Sequence, residues 1–218
     1  MTYLTAEEAA SLDALVARLE AATGVQLVPA IVGKADSYPE VPWKAFGFGA
    51  SVTALALVVS DHLSPQWTTA STAIMHAIAV LGVAAAFALV ASFAPPIARL
   101  LLNRRRAEGE VRQFAESLFL QRGITATRAR TGLLVLVSLF ERRIEIVADR
   151  GFDGRITAAD WQAVMSRMAP HLRDSRPFEA LRDALGALET LLIAKGFRGS
   201  GVAVDNELPN ATLQEPSA

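Results

Sequence analysis

The chain has 218 residues, 52% of them hydrophobic, with 21 Lys and Arg against 22 Asp and Glu. A net charge of −1 and an isoelectric point near 6.3 give no basis for a nucleic-acid partner, whose phosphates require a basic excess. With no cysteine there is no disulfide, thiolate nucleophile or cysteine zinc site, and a mean hydropathy of +0.32 is high for a water-soluble domain.

The opening MTYLTAEEAA carries acids and no basic run before an apolar core, so no cleaved secretory signal is expected. Thr5 followed by Glu8 spells a capping box, and Leu12, Leu15, Val16 and Leu19 then share one helical face until Gly24 stops it. Residues 25–32 follow as a strand in which Pro29, lacking a donor, suggests an edge position or a bulge. Residues 34–42 are polar and proline-containing, a linker by composition.

A membrane pattern comes next. Trp43 and Lys44 are interface-type residues, and residues 45–60 hold no charge before Asp61, close to the ~20 residues a bilayer needs. Residues 68–98 contain no formally charged side chain, with Trp67 at one end and Pro95, Pro96, Arg99, Arg104, Arg105 and Arg106 at the other. The connecting SDHLSPQ has no Lys or Arg, so the positive-inside rule places both chain ends in the cytoplasm. The arginine triplet reads as an orientation determinant that attracts anionic lipid. His76 reads as an interfacial histidine or one bonded to the neighbouring helix, and the three histidines show no metal-ligand spacing. The competing reading of 43–102 is a pair of buried helices in a soluble core.

Beyond the arginines, Val111, Phe114, Ala115, Leu118 and Phe119 repeat as on a helix that lies against a sheet. The continuous apolar run 133–137 predicts a strand covered on both faces, whereas 143–148 alternates, with Ile144, Ile146 and Ala148 on one side. Thr157 with Asp160 opens a helix with Trp161, Val164, Met165 and Met168 inward, and Ser175 with Pro177 opens the last, which Gly196 ends. The pattern predicts an α/β fold, a small sheet with helices on both faces, interrupted by a transmembrane helical hairpin. Residues 1–36 and 107–199 form the discontinuous domain, 43–103 the two-span hairpin and 200–218 an irregular tail.

The stretches VRQFAESLFLQRGI (111–124), TGLLVLVS (131–138), RRIEIVADRGFDGRIT (142–157) and the proline-ended WQAVMSRMAP (161–170) resemble the TPM domain family, and LTAEEAASLDALVARLEAATGVQLVPAIV resembles that family's first helix and strand. The likeness is greatest to a bacterial membrane branch in which a two-helix hairpin interrupts the domain and the tail carries a segment like NELPN (206–210). The resemblance implies an α/β sandwich in the bacterial cytoplasmic membrane. It also implies roles held by family members: proposed acid phosphatase and calcium binding in plants, assembly or auxiliary functions elsewhere. Those members usually have a glycine- and acid-rich loop ahead of the TGLLVLVS strand, where this chain reads GITATRAR, with Arg128 and Arg130 and no carboxylate.

The best candidates for chemistry are Asp149, Asp153 and Asp160 around the turn DRGFDG, carboxylates able to ligate calcium or magnesium, although their spacing is not that of an EF-hand. The plain structural reading has Asp149 paired with an arginine, Asp153 serving the turn and Asp160 completing a cap. Arg128, Arg130, Arg142 and Arg143 are candidates for holding a phosphate or anionic headgroup. Ser138 lacks the glycine context of a hydrolase elbow, and no phosphate-binding glycine loop is present. The leading expectation is therefore a membrane-anchored, non-enzymatic assembly, repair or auxiliary factor for another membrane protein. The alternative is a divalent-metal-dependent phosphatase acting on phosphomonoesters through the three aspartates.

Overall fold

In chain order, α1 (Ala6–Thr23) and β1 (Gln26–Val32) precede α2 (Glu40–Leu63), α3 (Ala70–Phe93) and α4 (Pro95–Leu101). Then come α5 (Arg104–Gln121), β2 (Gly132–Ser138), β3 (Arg143–Ala148), α6 (Ala158–Arg173), α7 (Pro177–Ala194) and β4 (Leu213–Glu215). The computed structural model describes residues 3–64, 69–199, 208 and 211–215, so Trp67 lies outside the described residues. Two units divide the chain: Met1–Asp36 with Arg105–Ala218, and Ser37–Arg104.

In the first unit the local signals act where the sequence put them. Glu8 N–H donates to Thr5 Oγ1 at 3.2 Å, Thr5 N–H donates to Glu8 Oε2 at 2.7 Å, and Gly24 closes α1 at φ 71°. Thr157 and Asp160 repeat the box at the start of α6, and Pro177 opens α7. Pro170 does not end α6, which continues to Arg173. The proline forfeits one helical bond, that to Ser166 O, and Leu172 beyond it is buried.

The sheet has the order β3-β2-β1-β4, with β1 parallel to both neighbours and β2 antiparallel to β3. Alternation along the central strands divides the core. Leu27, Ile31, Leu133, Val135 and Val137 pack with Leu12 and Val16 of α1, Met168 of α6 and Leu181 and Leu188 of α7. Val28, Ala30, Val32, Leu134 and Leu136 pack on the other face with Val111, Ala115, Leu118 and Phe119 of α5. The doubly buried strand and the two-faced helical cover are those the 133–137 run predicts. Burying each such leucine contributes about 1.5–3 kcal/mol, so the two middle strands anchor the unit. On the edge strand β3, Ile144, Ile146 and Ala148 pack against the first core, as the alternation predicts. Glu145 is on the opposite side of the strand, where burial pushes its carboxyl up against the lowering effect of Arg112.

Pro29 is accommodated inside a strand paired on both sides. Gln26 N–H donates to Thr131 O toward β2, so the amide positions of residues 27 and 29 face the other way. There Leu27 N–H donates to the buried carboxylate of Glu20 at 2.9 Å, and pairing with β4 begins only at Ala30. The missing donor of Pro29 falls in the gap between them.

The tail departs from its expected irregularity. Leu213–Glu215 add a fourth strand, Gln214 Oε1 accepts the Tyr3 and Leu4 amides at 2.6 and 3.3 Å, and Thr212 N–H donates to Asp13 at 3.0 Å. Leu208 is buried, its amide donating to Gln26 Oε1. Polar side chains here satisfy neighbouring backbone, so the segment orders without an apolar pattern of its own.

In the second unit α2 and α3 run antiparallel. A Cβ built on Gly49 would stand 3.0 Å from Phe87 Cγ and 3.1 Å from Ala84 Cα, and near the turn His76 Nδ1 lies 3.8 Å from Asp61 Oδ2. His76 thus faces the neighbouring helix. Ala45, Gly49 and Thr53 recur every four residues, the small-residue spacing that lets helix backbones approach closely. Two boundaries differ from expectation. α2 begins at Glu40, within the expected linker, because Pro42 falls in its first turn, where no amide donor is needed. The second apolar stretch is two helices: Ala94, extended ahead of Pro95 and Pro96, separates α3 from α4. Only 6% of the most apolar 18-residue window of either long helix is buried, the reverse of a pair of soluble core helices.

Candidate functional site around the DRGFDG turn

The end of β3 delivers Asp149 into a short 3-10 turn, Arg150–Phe152. Asp149 is buried. Its Oδ1 accepts the Arg150 amide at 2.8 Å, and its Oδ2 lies 3.4 Å from Arg130 Nε. Arg130, at φ 55°, also donates through Nη1 to Thr125 O at 2.6 Å and accepts the Gly151 amide at 2.9 Å. A side chain at position 151 would come within 2.6 Å of that same Arg130 carbonyl, which is why glycine follows Arg150. The loop before β2 is in this way fastened to the turn after β3.

Asp153 is exposed, with its amide donating to Arg150 O at 3.0 Å. Asp160 accepts from Thr157 and, at 2.6 Å, from Lys195 Nζ. Lys195 first, then the Thr157 bonds, hold the Asp160 carboxyl at about 2, below its ordinary 3.8. The end of α7 clamps this segment a second time, since the Arg155 guanidinium lies 3.5 Å over the Phe197 ring and donates to Lys195 O at 3.1 Å. Phe152 packs between Phe197 and Trp161. Asp149 and Asp160 each face a cation of the protein, and among the described residues no three His, Asp or Glu side chains gather closely enough to hold a metal ion.

Because Asp160 titrates lower folded than unfolded, its stabilising contribution is present above pH 3.8 and is lost as pH falls through about 2. Lys195→Met is expected to move its carboxyl titration, followed by side-chain NMR, up toward the ordinary value. A midpoint that stays near the bottom of the acid range would show that Lys195 does not hold it.

The four arginines grouped as an anion site do not meet. Arg128 and Arg130 precede β2, whereas Arg142 and Arg143 begin beyond its far end, and seven strand residues separate the pairs by ~20 Å. Arg143 instead reaches Glu108 on α5 at 2.7 Å. Ser138 is buried and donates to Glu141, whose other oxygen accepts the Ala35 amide at 3.0 Å, so its hydroxyl braces the β2–β3 turn. Of the residues expected to flank the membrane, Trp43 is 73% exposed, Lys44 donates to Leu101 O at 3.2 Å, and Arg104 and Arg105 open α5. Arg106 bridges Asp36 at 3.2 Å and Glu110 at 3.4 Å.

Sequence reasoning missed Lys195, Arg155 and Phe197, which look like ordinary helix-end residues. It also missed an open cleft of about 370 Å³ beside α5, lined by Phe114, Ser117, Leu118 and Gln121 and crossed by the Arg122–Glu215 ion pair, because β4 supplies one wall.

A mixed four-stranded sheet with α5 on one face and α1, α6 and α7 on the other defines the class of protein, an α/β sandwich whose first helix and strand are encoded ahead of an apolar helical hairpin. The family model of the TPM domain matches residues 96–191 of this chain. The NMR structure of the BA42 protein from the psychrophilic bacterium Bizionia argentinensis is similar at a TM-score of 0.58 and 13% identity, covering 98% of this chain and 97% of that one. At that identity the likeness is one of fold. No curated protein matches the chain.

Proposed function

We propose that this TPM-domain protein is anchored in the membrane by α2 and α3, and that its α/β unit binds or helps to assemble another membrane protein without itself catalysing a reaction. The observation that carries the anchor is the combination of length, hydropathy and exposure: two 24-residue helices, of mean hydropathy 1.4 and 2.4 in their most apolar windows, with those windows 6% buried. At 1.5 Å per residue each spans ~36 Å, enough for a ~30 Å hydrocarbon layer. Apolar surface of this extent in water is unfavourable by ~25 cal/mol per Å², and a bilayer removes that cost. With Lys34, Lys44, Arg99 and the arginine triplet at or beyond the open end of the hairpin and no Lys or Arg in its turn, both chain ends belong in the cytoplasm. The non-catalytic part of this reading is supported by Asp149 and Asp160 each facing a cation of the protein itself.

The absence of cysteine makes the orientation directly testable. In intact cells an impermeant maleimide should label Ser64→Cys, and should label Glu179→Cys only after permeabilisation; the opposite pattern inverts the topology. Cross-linking before detergent extraction should recover one reproducible membrane-protein partner, and replicate extracts that yield none would remove the assembly role.

A further inference from the structure

The second unit carries an apolar groove of about 460 Å³ formed by the first half of α2, the second half of α3 and α4, with Phe48, Ala86, Phe87, Ile97 and Leu101 among its walls. The break at Ala94 creates it: α4 restarts in a new direction after Pro95 and Pro96 instead of prolonging α3. No polar atom is exposed on the wall, so water entering the groove finds no hydrogen-bond partner there. The rim is different. Lys44 stands one turn before Phe48 on α2, and its ammonium donates to the main-chain oxygen of Leu101, itself a wall residue. An ammonium carries three donors, and this bond uses one.

A dry apolar trough with a cation at its edge suits an amphiphile with a fatty tail and an anionic head. We propose that the groove holds an acyl chain of an anionic phospholipid whose headgroup phosphate meets Lys44. The proposal rests on the membrane reading of α2 and α3 and adds to it a defined lipid position and headgroup charge. On the proposed topology the groove opens in the cytoplasmic leaflet, since it lies at the end of the hairpin away from the Asp61–His76 pair.

The test uses the full chain in mild detergent, titrated with phosphatidylglycerol or with phosphatidylcholine of the same acyl chains and read by native mass spectrometry. One phosphatidylglycerol should be retained about fivefold better than phosphatidylcholine, as one lysine near a charged headgroup provides. Lys44→Gln should reduce phosphatidylglycerol to the phosphatidylcholine level. Ala86→Phe, at an exposed position away from the Gly49 contact, should fill the groove and remove both adducts while helical content by circular dichroism stays unchanged. Equal retention of the two lipids, adducts unaffected by Ala86→Phe, retention of free fatty acid only, or a two-chain species in place of the adduct would each overturn the proposal. A chain that alkaline carbonate releases from membranes fails the anchoring reading itself, whereas one that stays in the membrane without headgroup preference fails only the lipid site.

Discussion

Gly132→Ala is expected to lower the melting temperature of the full chain in detergent by roughly 10 °C. A Cβ at this position would lie 2.1 Å from Ile124 O and 2.7 Å from Ile124 Cγ2. Neither atom has room to yield, since Ile124 is fully buried in a 3-10 turn and Gly132 begins the wholly buried β2. Overpacking usually costs ~1–3 kcal/mol, and a clash with backbone places this one at the upper end. At ~2–4 °C per kcal/mol for a chain of this size, the shift is readily measured by circular dichroism. Gly186→Ala is the matched control: it lies within α7 with nothing near the added methyl, so it should be neutral or slightly stabilising, by up to ~1 kcal/mol. If the two variants melt alike, β2 and the 3-10 turn are not packed as described.

The second large effect belongs to Gly49→Leu. Alanine at this position needs only a few tenths of an ångström from Phe87 and the Ala84 backbone, whereas the branched leucine side chain requires the two helices to separate. Gly49→Ala should therefore accumulate in membranes near the wild-type level, with a melting temperature within ~2–4 °C of it. Gly49→Leu should lose ~2–3 kcal/mol, or about 5–10 °C, and accumulate several-fold less. Equal membrane levels and melting for all three chains would show that the hairpin does not depend on close approach at this glycine.

What could be read beforehand was short-range or long and uniform. The boxes at Thr5 and Thr157 show in the sequence because both partners lie within one turn, and the 133–137 run shows because every one of its residues is apolar. The sandwich follows from that run. Features that depend on distant partners could not be seen. β4 is only three residues, too short for a periodic pattern, and its pairing partner β1 lies near the opposite end of the chain. Glu20 is outside the apolar face of Leu12, Leu15, Val16 and Leu19, yet its carboxylate accepts the Leu27 amide beside Pro29. The four arginines lie within 16 residues of sequence, and the length of β2 separates them in space. The three aspartates lie close together in sequence, while Arg130 and Lys195, which engage two of them, come from other segments.

The two middle strands of the sheet are synthesised far apart in time. β1 leaves the ribosome first, with only Gln26 polar among its seven residues, and its long neighbour β2 follows about 100 residues later, after the hairpin. At ~5–20 residues per second that delay is ~5–20 s. During translation, therefore, a bare aggregation-prone strand has to be shielded by α1 or by a chaperone until its pairing partner emerges.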